Sequence, residues 1–281
     1  MKKRRIILLF ILIFIGGITA CGTKIESDVV NEETEIQVFI AASLQTVMEE
    51  LAERYQTEHP EVKITYNADS SGTLLTQIEE GYECDLFFPA AQKQMDQLEK
   101  DRLIVKGTRT DVVNNQVVVI SLKTSGTTVT GLENLQEAES IALAGGSVPV
   151  GRYTRQALMK LGILEETEDA ASISTGQISA ALGNVEISEQ DNVSKVLSAV
   201  TEGSCEVGTT YYSDMYGHEE ELEILQTVST DLTGNVIYPA AQVVNEEADE
   251  AQKTAAKDFL TFLLSEEAKK VFASYYFDTD I

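Results

Sequence analysis

Histidine, cysteine and positive charge are scarce in these 281 residues: two His, three Cys, and 21 Lys plus Arg against 46 Asp plus Glu. Each shortage argues against a class of function. A net charge of −25 would repel a phosphodiester backbone or an anionic lipid surface, so neither is an expected partner. His59 and His218 stand alone, without metal-ligand spacing around either. Cys84 and Cys205 have no redox or zinc motif beside them and read as buried free thiols, with a disulfide between them as the alternative. Enzyme signatures are missing too. There is no G-x-S-x-G elbow, no H-E-x-x-H and no Rossmann glycine triplet. The segment Gly146-Ser-Val-Pro-Val-Gly151 has P-loop spacing, but Arg152-Tyr153 stands where a Lys followed by Ser or Thr would be needed. That argues against a nucleotide and leaves a loop of main-chain N–H groups able to hold an anion.

One long apolar run is present, and it is at the start. Lys2, Lys3, Arg4 and Arg5 precede Ile6–Ile15, the anatomy of a secretory leader over residues 1–20. From Ile6 to Ala20 the run falls short of the ~20 residues a bilayer span prefers. It closes on Ile18-Thr19-Ala20-Cys21, which resembles the lipobox of bacterial lipoproteins and implies cleavage before Cys21 and lipidation of that cysteine. Residues 21–34 are polar, as befits a flexible spacer. Losing the leader would remove four basic residues and no acidic ones, leaving about 17 basic against 46 acidic. About 250 residues remain, enough for one large domain or two lobes.

Along the rest of the chain, strand and helix patterns alternate. Ile36, Val38 and Ile40 mark a first strand, and Ser43 is expected to cap a helix with apolar residues at Leu44, Val47, Met48, Leu51, Ala52 and Tyr55. Val62–Tyr66 reads as a strand, then Ser70-Ser71-Gly72 opens a short helix that stops near Gly81. Asp85–Phe88 is a buried strand and Gln92–Lys100 a helix. The rhythm resumes with strands over Gln116–Leu122, Ile141–Ala144, Val207–Tyr212 and Val236–Val244. Helices run over Tyr153–Leu161, around Val193–Val200 and from Ala248 to about Ala273. Such alternation predicts an α/β fold with mostly parallel sheets covered by helices on both faces.

In open α/β sheets ligands sit beyond the carboxyl ends of the strands. Four helix starts fall there: at Ser43, at Ser70-Ser71, after Gly146–Gly151, and at Val193 behind Asn192. Each could be ordinary capping. Together they could point donors at one small anion. Tyr211 and Tyr212 end a strand, and alternation lets only one of them face the same side.

The order of these motifs resembles the molybdate-binding proteins, the extracytoplasmic solute receptors of molybdate ABC importers. Its pieces are Ala41-Ala42-Ser43-Leu44, Ser70-Ser71-Gly72-Thr73-Leu74, Asp85-Leu86-Phe87-Phe88, Val148-Pro149-Val150-Gly151, Lys160-Leu161-Gly162, Asp191-Asn192-Val193, Gly208–Tyr211 with Ser213-Asp214, and Tyr238-Pro239. They span roughly residues 35–277. The resemblance implies a periplasmic-binding-protein-like fold of type II, two α/β lobes joined by a two-crossover hinge. Lobe 1 would comprise 35–115 plus 239–281, and lobe 2 116–238. It further implies an oxyanion held by the hydroxyls of Ser43, Ser71 and Tyr211 and the N–H groups of Val150 and Val193, with those of Ser43 and Ser71 joining. Molybdenum would be bound only as that oxyanion, with no cation site and no cofactor. The implied partners are an ABC permease and its ATPase, with the membrane touched only through the lipid on Cys21. The protein would be a monomer on the extracytoplasmic face of the cell membrane.

Neutral donors suit an anion that has no proton to give. A buried dianion is costly unless its oxygens are hydrogen-bonded, and each bond to a charged group contributes ~1.5–3 kcal/mol. Molybdate, tungstate and sulfate fit that description. Phosphate is partly protonated and would favour an acceptor, for which Asp69 is the candidate; local capping away from the anion is its other reading. Val150 stands where a smaller residue is expected and could crowd the site. The rival classes are a surface hydrolase using Ser71 as nucleophile, which lacks a well-placed base, and a lipid-anchored interaction module with an idle cleft.

Overall fold

In a computed structural model, residues 33–281 are described. The expected leader, Cys21 and most of the spacer lie outside the described residues. Thr34, at the end of that spacer, already belongs to the first strand.

Two five-stranded sheets organise the chain. The first takes β1 (Thr34–Ala41), β2 (Val62–Asp69), β3 (Leu86–Phe88) and β4 (Thr110–Asn115), interleaved with α1 (Gln45–Glu58), α2 (Ser71–Glu79) and α3 (Gln92–Lys100). The second takes β5 (Val117–Leu122), β6 (Ser140–Ala144), β7 (Glu186–Gln190), β8 (Val207–Tyr211) and β9 (Leu222–Thr227). Around it lie α4 (Pro149–Lys160), α5 (Thr175–Ala181), α6 (Val193–Thr201) and α7 (Thr230–Thr233). The chain then returns to the first sheet as β10 (Val236–Gln242) and finishes in α8 (Glu250–Leu263) and α9 (Glu266–Ser274). Strand order is β2-β1-β3-β10-β4 in one lobe and β7-β6-β8-β5-β9 in the other. No helix among the described residues is long and apolar enough to cross a membrane.

The sheets are mixed, where mostly parallel ones were expected. β1 runs parallel to β2 and β3, and β6 parallel to β7 and β8. By contrast β10 is antiparallel to β3 and β4, and β5 is antiparallel to β8 and β9. The reversed strands are those next to the crossings. Leaving β4 the chain passes through Gln116 straight into β5, and β10 re-enters beside β4 with Val236 opposite Asn115. A strand fed directly from the other lobe has no helix of its own sheet before it, so the right-handed βαβ geometry that makes neighbours parallel does not apply.

Local patterns explain the helices that carry the cleft. In α1 the buried residues Val47, Met48, Leu51, Ala52 and Tyr55 recur at three- and four-residue steps, giving one apolar face. Val193, Val196 and Val200 do the same for α6. β5, VVVISL, is buried through its first five residues, as a strand covered on both faces must be. Cys84 and Cys205 are both free and buried, on separate lobes; burial pushes the Cys84 thiol well above its usual range.

Candidate ligand site

The first lobe supplies two serines. Ser70 caps α2, its hydroxyl accepting the Thr73 N–H at 3.1 Å. Ser71 is therefore the first helical residue, and its N–H has no carbonyl within the helix to meet. The Ser71 side chain is fully buried, with Oγ accepting the Ala90 N–H at 2.9 Å. An accepting hydroxyl keeps its one proton to donate. Ser43 lies in a 3-10 turn, Ala42–Leu44, ahead of α1. This corrects the capping role expected for it: Leu44 occupies the N-cap of α1, and no side chain caps that end. The extra turn carries Ser43 off the helix start, and its Oγ instead meets Tyr238 Oη at 3.0 Å, 195 residues away in sequence.

The second lobe supplies two main-chain donors and a tyrosine. Pro149 opens α4 and has no N–H, so Val150 presents the first one. The Val150 side chain packs into the hydrophobic core. Val193 opens α6 behind Asn192, whose side chain caps the helix by accepting the Lys195 N–H at 3.0 Å. Tyr211 ends β8 at 1% exposure while Tyr212 is 39% exposed, so the strand's alternation turns Tyr211 inward. Its Oη is buried with no hydrogen-bond partner among the described residues. Burial raises its pKa well above the ordinary tyrosine value, with Tyr238 nearby adding to the effect, so the group stays protonated.

The two sets face each other across the lobes. α6 packs against the turn that holds Ser43, and the Tyr211 and Tyr238 rings meet edge to face at 5.8 Å. A Cβ on Gly72, beside Ser71, would stand 2.8 Å from the carbonyl oxygen of Ser147, just ahead of α4. Only glycine permits that approach. Asp69 Oδ1 accepts the Ser70 N–H at 2.7 Å and the Asn192 Nδ2–H of the opposite lobe at 3.2 Å. Lys93 and Asp169 form a second interlobe pair at 2.9 Å. At the mouth lies an open cavity of about 500 Å³, lined by Asp69, Ser70 and Thr73 on one side and Ser147, Asn192 and Lys195 on the other.

Several participants were not singled out from sequence. The sequence marks Tyr238 only as half of a Tyr-Pro pair, yet it joins Ser43, Tyr211 and Asn115 at the end of β4, whose Nδ2 reaches Tyr238 Oη at 3.3 Å and Ser213 Oγ at 2.8 Å. Asp214 accepts from the Tyr211 N–H at 3.0 Å and from the Thr210 hydroxyl; burial pushes its pKa up to about 6 against those bonds. The histidines sit elsewhere or are engaged. His59 stacks on Tyr55 at 4.3 Å. His218 shares a 130 Å³ pocket with Ser43, but its Nδ1 pairs with Glu221 at 2.6 Å. No cluster of three His, Cys, Asp or Glu suited to a metal ion occurs among the described residues.

Two mixed α/β lobes, crossed twice by the chain and facing each other over a cleft of helix starts, define the type II fold of periplasmic binding proteins. The model of the family described as bacterial extracellular solute-binding protein matches residues 36–278, and the chain belongs to that family. YvgL of Bacillus subtilis (strain 168), provisionally named an ABC transporter substrate-binding lipoprotein, is 31% identical over 95% of this chain and 98% of its own. The molybdate-binding protein ModA of Haemophilus influenzae is 27% identical over 86% of this chain and 89% of its own. A solved substrate-binding domain of a provisionally assigned molybdenum ABC transporter from Clostridium difficile superposes with a TM-score of 0.63 at 30% identity, covering 88% of this chain and 99% of that one. The similarity to molybdate-binding proteins expected from the motif order is thus found along nearly the whole described chain.

Proposed function

We propose that this protein captures molybdate outside the cell and delivers it to an ABC permease driven by a separate ATPase. The observation that carries the reading is the buried hydroxyl of Tyr211, unpartnered among the described residues, beside the Tyr238 ring whose hydroxyl meets Ser43. An orphaned buried donor costs ~1–3 kcal/mol, so its retention makes sense where a ligand oxygen completes it. Ser43, Ser71 and Tyr211 would supply hydroxyls, and Val150 and Val193 main-chain N–H groups at helix starts. Lobe closure belongs to this reading, because donors from both lobes would then meet one ligand, and the close approach of Gly72 to Ser147 supports it. The hinge would lie at the two crossings, with lobe 1 spanning 35–115 plus 239–281 and lobe 2 spanning 116–238.

The donor set favours a fully deprotonated dianion. Asp69, the one acceptor that could welcome phosphate, has its Oδ1 engaged by the Ser70 N–H and Asn192, which supports its reading as a local cap. Tungstate is the natural second ligand, and sulfate the smaller competitor. The protein would be a receptor and no enzyme: Ser71 Oγ accepts from a main-chain N–H rather than facing a base. Tethering through a lipid on Cys21, placement on the extracytoplasmic face of the cell membrane and a monomeric state complete the proposal, supported by the leader pattern and by the lipoprotein name of the YvgL relative.

Calorimetric titration against molybdate, tungstate, sulfate and phosphate tests it. One-to-one binding of molybdate with no heat from phosphate is expected. Preference for phosphate would overturn the ligand, and silence from all four would overturn the function.

A further inference from the structure

Arg155 is the unusual charge of the second lobe. It lies on α4 five residues past Val150 and is 1% exposed, among the largest fully buried side chains of the protein. A buried cation ordinarily needs a carboxylate beside it. None bonds to Arg155 among the described residues. Its Nε donates to the Ile173 carbonyl at 2.7 Å, and its Nη1 donates to the carbonyls of Ala144 and Gly151, each at 2.8 Å. Arg109 is a contrast: it is less buried and is paired with both Asp96 and Glu99.

The two Nη1 partners are informative. Ala144 ends β6 and Gly151 follows Val150, so one nitrogen ties together both ends of the loop that presents the Val150 N–H. The loop closes tightly there, since a Cβ on Gly151 would come within 2.3 Å of the Ala144 and Gly145 carbonyl oxygens. Helical side chains lean toward the N-terminus, which carries the guanidinium back toward the helix start. Five residues at 1.5 Å rise set Val150 and Arg155 only ~7–8 Å apart along the axis. Burial lowers the Arg155 pKa, and Glu189 opposes that shift. Glu189 is an exposed residue whose Oε2 accepts the Thr175 hydroxyl at 2.6 Å and whose Oε1 lies over Gly145, 3.2 Å from where a Cβ there would stand. It acts on Arg155 through its charge and forms no hydrogen bond to it among the described residues.

We propose that Arg155 is a positioning residue whose buried positive charge is the electrostatic counterpart of a doubly charged ligand at the start of α4. The inference rests on the reading of the cleft as an oxyanion site and deepens it. The donors that would touch the anion are neutral, while a cation one layer behind them favours two negative charges over one. Selection by charge is thereby separated from selection by shape.

The test compares molybdate with perrhenate, tetrahedral oxometalates one unit apart in charge. Wild type, Arg155→Met, Arg155→Gln and Arg155→Lys are titrated with molybdate, and perrhenate affinity is read by displacement of molybdate. Circular dichroism checks the fold; Gln keeps donors for the same carbonyls should Met fail to fold. Across ~8–10 Å in the protein interior a unit charge changes affinity roughly tenfold or more per ligand charge. The neutral variants should therefore lose at least about tenfold more affinity for molybdate than for perrhenate, while Lys keeps the wild-type ratio. Equal losses for both anions, or a Lys variant as impaired in ratio as Met, would overturn the proposal and leave Arg155 a staple for the loop. A wild type that binds neither anion would overturn the oxyanion reading itself, and this proposal with it.

Discussion

Replacing Tyr211 by Phe should move binding and stability in opposite directions. The residue is 1% exposed, and its hydroxyl oxygen has no partner among the described residues. In the closed, ligand-free form it carries an unmet desolvation cost of ~1–3 kcal/mol, which Phe removes while keeping the edge-to-face packing on Tyr238. If the free protein opens and hydrates the hydroxyl, the gain shrinks toward zero but does not change sign. For a domain of this size each kcal/mol shifts the melting temperature by ~2–4 °C. With ligand, the same hydroxyl donates to an anion, a bond worth ~1.5–3 kcal/mol. Losing it should weaken molybdate binding roughly 10- to 100-fold. Thermal unfolding and calorimetry on the same samples check both halves. A variant that melts lower than wild type, or binds molybdate unchanged, would refute the reasoning.

Other substitutions probe the rest of the site. Ser71→Ala should weaken molybdate binding about tenfold or more, read by the same titration. Gly72→Ala should leave the free protein's stability within ~1 kcal/mol but oppose closure, because the new Cβ would stand 2.8 Å from Ser147 O; small-angle scattering should show the compaction on adding molybdate reduced or lost. Asp214 has a folded pKa raised to about 6 by burial, so its contribution is fully present below its unfolded pKa and is lost as pH rises through about 6. Denaturant unfolding should accordingly show Asp214→Asn becoming more stable relative to wild type as pH is raised from about 4 to 7, by an amount on the order of 2–3 kcal/mol. A flat difference would mean the carboxyl is not desolvated.

How much of this was legible in the sequence depends on how local each signal is. Ser70 and Asn192 announce helix starts through their own caps on Thr73 and Lys195, and the structure places both there. β1 shows itself by the spacing of Ile36, Val38 and Ile40, and β5 as an apolar run. β7, EISEQ, does not, because it is a sheet edge whose residues are exposed or half-exposed and carry no alternation. Strand direction is illegible for a different reason: the antiparallel pairing of β10 with β4 joins residues over 120 positions apart. At the site, helix starts could be found from sequence, but Ser43 was given a cap it does not make, because its partner Tyr238 is fixed only by tertiary packing. Arg155 looked like any polar helix position; only burial distinguishes it.

The most direct test of the central claim is a crystal structure of the protein grown with molybdate, with the metal located by its anomalous scattering. The account predicts one molybdenum between the lobes, its oxygens about 2.7–3.2 Å from the hydroxyls of Ser43, Ser71 and Tyr211 and the N–H groups of Val150 and Val193. A molybdenum bound elsewhere, or held by Lys195 at the cleft mouth with Tyr211 still unpartnered, would contradict it.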